Sequence, residues 1–593
     1  MRWLFTTTTL LIHLLPSLVQ ASRFEAPDDL PPALNLTLTP LYDASQNITS
    51  LDVRLVLENP NLAANDTLAT ALLQIGNVPC NQYSSDTIRA SDDSGELALL
   101  VVNDDAHFTR LWLPQRDTHG SVTLQFTALP RSVDEHTPVG PRVDLRTNGE
   151  GILGTGTCFL PLPPDSGRKY DIHFSWGADS SPKGTSLVWT FGEGNYVRRL
   201  GTANVLAQSV YAAGPLKRVT SMLPPDESGR RREFGMYWFE EPASFNATEV
   251  ALLVQSLFFK MAPFFEDSED VYRVFVRKAP IGVGGSAYLR SFILEYDDVH
   301  IMEEDKLFNL IVHEMVHEWP RMQQSRKDLP EDPDSAWYEE GVADYYASLL
   351  PYRFGLHSDE EYLSDLNSEA HAYYTSPMVN LSMEEAARTA WLDGNAQRVP
   401  YYRGCMYLLK VDAQLRAATG GKKSVDDIML ELLRRKYRGE YYGIHAWLEW
   451  VERELGPVAL ADYDAMSRGY LIVPSKNAAG ERFELVRADQ ERYELGFATD
   501  YLSKGVIRGL VPGSRAEKAG VRNGDKVLKG EMLWATAGEL TKNMTLTVER
   551  EGEVLQFEYW PRSYEKVEAY QWTLKGEREE YDYVDFSSEQ ITM

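Results

Sequence analysis

Two histidines four residues apart, with a glutamate between them, are the feature of this chain best suited to chemistry. His313-Glu314-Met315-Val316-His317 reads H-E-x-x-H. On a helix, His313 and His317 share a face and can grip one metal ion. Glu314 lies one step round from His313 and reaches the space beside that metal, where a bound water would sit. Zinc of this type needs a third protein ligand and an open fourth position. Downstream stands Trp337-Tyr338-Glu339-Glu340-Gly341-Val342-Ala343-Asp344. Glu340 and Asp344 share a face of a second helix, so Glu340 can bind the metal while Asp344 holds a ligating histidine from behind. Glu339 points about 100° away from Glu340, so only one of the pair ligates.

The elements around these residues must hold them rigidly. Leu307, Phe308, Leu310, Ile311, Met315, Val316 and Trp319 make the first helix apolar over most of its circumference, as expected of a core helix. Pro320 biases Trp319 away from helical geometry, which predicts that the helix stops there. Helical periodicity returns over 383–391, 401–419 and 424–437. Before the motif, a strand over 235–239, a helix starting after Asn246 and a strand over 271–276 give an α+β opening. Gly282 to Ile293 reads GVGGSAYLRSFI, placed to be an edge strand along the cleft. Such a strand, through Gly284, Gly285, Ser286 and Ala287, holds a peptide by main-chain hydrogen bonds.

The zinc segments, H-E-M-V-H-E-W and then W-Y-E-E-G-V-A-D-Y-Y, resemble those of gluzincin zinc peptidases. Within that group they are most similar to the glycyl aminopeptidase family, whose members join a thermolysin-like domain to a C-terminal PDZ domain. The resemblance covers roughly residues 226–562. It implies Zn2+ on His313, His317 and Glu340, a peptide or protein substrate, and Glu314 as general base. Tyr401-Tyr402-Arg403-Gly404 resembles the family's Y-x-K/R-G segment, which implies that Tyr401 stabilises the oxyanion. Near the C-terminus, Tyr493-Glu494-Leu495-Gly496-Phe497 resembles the carboxylate-binding loop of PDZ domains. The stretch from Val511 to Leu528 resembles the turn and strand that follow it. The resemblance implies a groove at Leu495, Gly496 and Phe497 able to take a C-terminal peptide. The family's cleft strand carries a glutamate that grips the substrate's amino group; here Ala287 stands in its place. Either an anchor comes from another segment, or the site does not select free N-termini. In the latter case acetylating a substrate would cost less than losing a buried charge pair.

The expected architecture is multidomain. An all-β domain covers 22–225, because short alternating runs such as 51–57 and 121–126 recur between Gly, Pro, Asn and Asp clusters. A catalytic domain covers 226–480, a PDZ domain 481–562, and an acidic tail or strand-like cover 563–593. The 593 residues carry a formal net charge of -28, which argues against nucleic acid as a partner. Residues 1–21 read as a secretory signal peptide, with Arg2, a short apolar core and Val19-Gln20-Ala21 as the cleavage site. That core is too short to span a membrane, and no later run reaches about 18 apolar residues. Asn35, Asn47, Asn65, Asn246, Asn380 and Asn543 head N-x-S/T sequons, so a secreted glycoprotein is expected. Cys80 and Cys158 form either a disulfide or two buried thiols, and Cys405 reads as core packing. Two competitors remain: a binding scaffold that has lost activity, and an endopeptidase.

Overall fold

A computed structural model describes residues 31–135, 137, 139–224, 231–269, 271–301, 303–323, 335–390 and 392–576, and every count below refers to these. The leader at 1–21, Trp391, most of the interdomain segment 224–229 and the chain beyond 576 lie outside them.

The N-terminal part is β-rich, as the alternation predicts. Ala33–Tyr42 pairs with Ile48–Leu57 on one side and runs parallel to Tyr170–Trp176 on the other, at the centre of a seven-stranded sheet. Leu34, Leu36 and Leu38 point inward from one face of its first strand, and Val53, Leu55 and Leu57 answer them from the second. A five-stranded sheet containing Gly151–Thr155, Val210–Gly214 and Ser186–Trp189 packs nearby. Cys80 and Cys158 lie together in the apolar cluster that joins this sheet to the next unit.

The second unit starts on a five-stranded sheet ordered Lys217–Met222, Glu233–Trp238, Val271–Lys278, Ser291–Tyr296, Gly284–Tyr288. The three middle strands are parallel and buried, and the two outer ones antiparallel. Lys217–Met222 lies before residue 225 in sequence yet pairs in this sheet, so the two units share a seam. The helix Ala247–Phe264 crosses one face. Asn246 caps it by accepting from the main-chain N–H groups of Thr248 and Glu249. The seam is reinforced by charge. Arg277, fully buried, meets Asp144 Oδ1 at 2.9 Å and Glu295 Oε1 at 2.7 Å, and donates to the carbonyls of Asp144 and Leu153. Arg146 adds a contact to Glu295 at 3.1 Å. Buried charges persist only when paired in this way.

Helices fill the rest of this unit: Glu304–Val316, Ala336–Arg353, Asp359–Thr375, Met383–Thr389, Gly394–Thr419, Val425–Arg438, Ile444–Leu455 and Pro457–Ser467. Two boundaries differ from expectation. The HExxH helix ends at Val316 rather than Trp319. His317 is its cap, and Glu318 N and Trp319 N make tighter bonds to Met315 O and Val316 O. Pro320 constrains this turn, and Arg321 Nε donates to the carbonyl of His317. The 401–419 helix begins earlier, at Gly394, because Asp393 caps it by accepting from Asn395 N. Pro400 sits inside it, and packing on neighbouring helices overrides its helix-breaking tendency.

The third unit carries a four-stranded sheet in which Lys526–Glu531, Met544–Arg550 and Glu553–Tyr559 are joined by His300–Ile301 from the catalytic unit. Arg562–Val567 and Tyr570–Leu574 pair with Gln490–Tyr493 and Phe483–Arg487, so the chain just past 562 is strand-like cover. No helix among the described residues is long and apolar enough to cross a membrane.

Candidate active site

The two motif helices bring their functional side chains to one point. His313 Nε2 lies 3.2 Å from His317 Nε2 and 3.2 Å from Glu340 Oε2, and His317 Nε2 lies 3.5 Å from Glu340 Oε2. Tetrahedral zinc with bonds of about 2.0–2.1 Å needs donor atoms about 3.4 Å apart, so the three donors fit the ion. All three residues are buried, and their two imidazoles and one carboxylate offer donor atoms within 4.8 Å of one another. Asp344 Oδ1 meets His313 Nδ1 at 2.6 Å, fixing the ring so that Nε2 faces the site.

The electrostatics of the metal-free cluster follow the same geometry. Burial opposes charge on His313, but Asp344 and then Glu340 outweigh it and push the imidazole up to about 10. Burial also opposes charge on Glu340, yet the two histidines hold its carboxyl well below the usual range. A divalent ion entering this cluster therefore displaces protons. Glu339 turns aside as its position predicts: its Oε1 accepts from Met322 N at 2.9 Å. Glu318 likewise faces Arg290, accepting from its N–H at 3.0 Å.

A cleft of about 1630 Å³ opens over the ligands. Glu314 and Tyr401 line it, with Gly284 to Tyr288 along one wall. That segment is the edge strand of its sheet, as predicted. Its glycine has a local cause. A Cβ on Gly285 would stand 2.5 Å from Cγ and Cδ of Glu314, so the strand can pass this close only without a side chain there. Ala287 shares that face, while Ser286 Oγ accepts from Arg142 N on the other. The ring of Tyr401 lies stacked on that of His313, with centroids 5.6 Å apart and planes at 13°. Burial, followed by the charge of Glu340, keeps the Tyr401 hydroxyl protonated well above its usual range, and Arg398 opposes this only partly.

The two helices cross where both are glycine. A Cβ on Gly341 would meet Gly404 Cα at 2.4 Å, and one on Gly404 would meet the carbonyl oxygen of Trp337 at 2.0 Å. This contact sets Tyr401 near Glu340, the ligand that Ala336–Arg353 carries. Cys405, the next residue, is buried packing. Leu495, Gly496 and Phe497 are not part of this constellation. They are buried in the third unit's core, with Ala372 of the catalytic unit in the same cluster. The sequence reading missed the cleft's outer walls: Phe108 and Val139 from the N-terminal unit, and Thr499, Lys504 and Trp534 from the C-terminal one. It also missed Asn309, Glu369 and Arg398. Of these, Asn309 alone had a signal, as a polar residue one turn before His313 on the ligand face.

Residues 306–406 match the family model described as M61 glycyl aminopeptidase. Among solved structures, an aminopeptidase N family protein from Idiomarina loihiensis is similar at 13% identity, with a TM-score of 0.58 over 91% of this chain and 98% of that one. An M1 zinc metallopeptidase from Deinococcus radiodurans is similar at 15% identity, with a TM-score of 0.46 over 75% and 94%. No curated protein matches. The first structure shares the fold, a β-rich domain preceding a helical catalytic one. Family match and ligand geometry agree: the segment from Lys306 to Met406 is similar to that of M61 glycyl aminopeptidases, and the protein is a zinc metallopeptidase.

Proposed function

We propose that the protein hydrolyses peptide bonds with Glu314 as general base and Tyr401 as oxyanion donor. The observation that carries this is the placement of Glu314. It lines the cleft beside the ligand cluster, and the edge strand passes within contact of it. Zinc on His313, His317 and Glu340 supplies Lewis acidity toward a water and a carbonyl oxygen. Glu314 takes the proton of the attacking water and passes it to the leaving amine. The hydroxyl of Tyr401 donates to the carbonyl oxygen as its charge develops. Gly284 to Ala287 offer an extended main chain to the substrate, and Asp344 keeps His313 in the ligating tautomer. A peptide-library digest read by mass spectrometry is expected to show cleavage by protein holding one zinc per chain. A chelator should abolish it and added zinc restore it. Absence of cleavage by fully zinc-loaded protein counts against the assignment.

We propose further that the chain is secreted and N-glycosylated, and that its third unit is of PDZ type. The leader-like residues 1–21 support secretion, and none of the six sequon asparagines is buried. The Leu495-Gly496-Phe497 turn supports the PDZ assignment, with the short helix Arg515–Lys518 and the strand Lys526–Glu531 following in order. Intact-mass measurement of protein from a eukaryotic secretory host is expected to show the leader removed and mass lost on deglycosylation. An uncleaved, unmodified chain in that host counts against secretion.

A further inference from the structure

One wall of the zinc cleft carries hydrogen-bond acceptors that no described residue satisfies. Asn309 lies one turn before His313 on the HExxH helix, and both line the cleft. Its Nδ2 donates to Asp365 Oδ1 at 2.9 Å. A carboxylate accepts only, so this bond fixes the amide's orientation and leaves Asn309 Oδ1 as the free end. That oxygen is buried and has no partner among the described residues. Asp365 is also held by His357, at 3.1 Å. Glu369 follows Asp365 by one turn of the helix Asp359–Thr375, so it lies on the same face and also lines the cleft. Its Oε2 is buried without a hydrogen-bond partner among the described residues.

The charges nearest Glu369 are Asp344, His313, Arg398 and Asp365. Arg398 is one of these, and its guanidinium lies 4.7 Å over the ring of Tyr401. Burial, followed by Asp344, holds the Glu369 carboxyl well above its usual range. Two buried oxygens on one cleft wall, each without a hydrogen-bond partner among the described residues, are a costly arrangement. It becomes favourable once a group with several N–H donors and a positive charge enters, because charge-assisted bonds then satisfy both oxygens. Ala287 leaves the edge strand without any such anion, so Glu369 stands where the cleft's charge recognition is otherwise missing.

We propose that Glu369 and Asn309 form a subsite for a protonated amine of the substrate, resting on the peptidase reading above. The amine is either the α-ammonium of the chain's N-terminus or the ammonium of a lysine side chain. The two share their chemistry and differ in where they place the scissile bond.

Four peptides separate the sources: Ala-Lys-Ala and Ala-norleucyl-Ala, each with a free or an acetylated N-terminus. With zinc-loaded full-length protein, one amine source should raise kcat/KM over its blocked or uncharged counterpart. Glu369→Gln should shrink that ratio by about 30-fold or more, as expected when one partner of a buried charge pair is lost. Glu369→Asp, which keeps the charge, should recover part of it. Collapse of the free-to-acetylated ratio assigns the N-terminus, and collapse of the lysine-to-norleucine ratio assigns the side chain. Equal effects on all four peptides, or none, overturn the subsite. Calorimetric titration of the same peptides into wild type and Glu369→Gln reads the subsite without turnover. If wild type binds the amine-bearing peptide but cleaves none, the peptidase reading falls while the subsite stands. If binding shows no dependence on the amine, the subsite falls.

Discussion

Glu314→Gln is expected to keep its zinc and lose turnover by about 10²–10⁴-fold, the range that general base catalysis supplies. The substitution is nearly isosteric, which matters here. The Glu314 side chain fills the space that a Cβ on Gly285 would occupy. Glutamine fits the same gap, so the strand and the cleft keep their shape. The ligand donors belong to His313, His317 and Glu340, whose mutual distances do not involve residue 314. What is lost is an acceptor for the proton of the attacking water. Elemental analysis beside kcat/KM makes the comparison. Turnover within tenfold of wild type, at unchanged zinc, would assign the base to another group.

Gly404→Ala should be as damaging by a different route. The added methyl would stand 2.0 Å from the carbonyl oxygen of Trp337 and 2.8 Å from Gly341 Cα. Both obstacles are main chain, so no side-chain rotation relieves them. The helices Ala336–Arg353 and Gly394–Thr419 must separate, at a cost of about 3 kcal/mol or more for overpacking of this severity. One helix carries Glu340 and Asp344, and the other carries Tyr401. A shift near 1 Å between reacting groups is itself enough to lose about 10²-fold in rate. The expected result is a lowered denaturation midpoint together with loss of activity. An unchanged midpoint would show that the helices part without strain.

The metal ligands were legible in the sequence because helical spacing alone decides them. His313 and His317, then Glu340 and Asp344, need only a period of 3.6 residues to be sorted into ligand and support. The same logic turned Glu339 away correctly. Helix ends were less legible. His317 is a ligand at a helix terminus, held by a tight turn and by Arg321 rather than by a continuing helix, and pattern alone does not show this. The start at Gly394 hid behind Pro400, since Asp393 is an ordinary capping residue until its bond to Asn395 N is seen. Glu369 had no signal at all. It becomes notable only when the helix bearing it docks beside Asn309 and its oxygen is found without a donor. The cleft's outer walls depend on contacts between residues far apart in the chain, such as Tyr288 donating to the carbonyl of Arg142, and periodicity carries none of that.

The short strand His300–Ile301 pairs with Gly530 and Glu531, and the HExxH helix begins at Glu304. During synthesis the segment bearing all three zinc ligands leaves the ribosome before the strand that completes this sheet exists. At about 5–20 residues per second the delay is roughly 10–40 s. The lead-in to the catalytic helix therefore lacks this strand partner until nearly the whole polypeptide has been made. A nascent chain thus carries the hydrolytic residues without the finished vestibule around them.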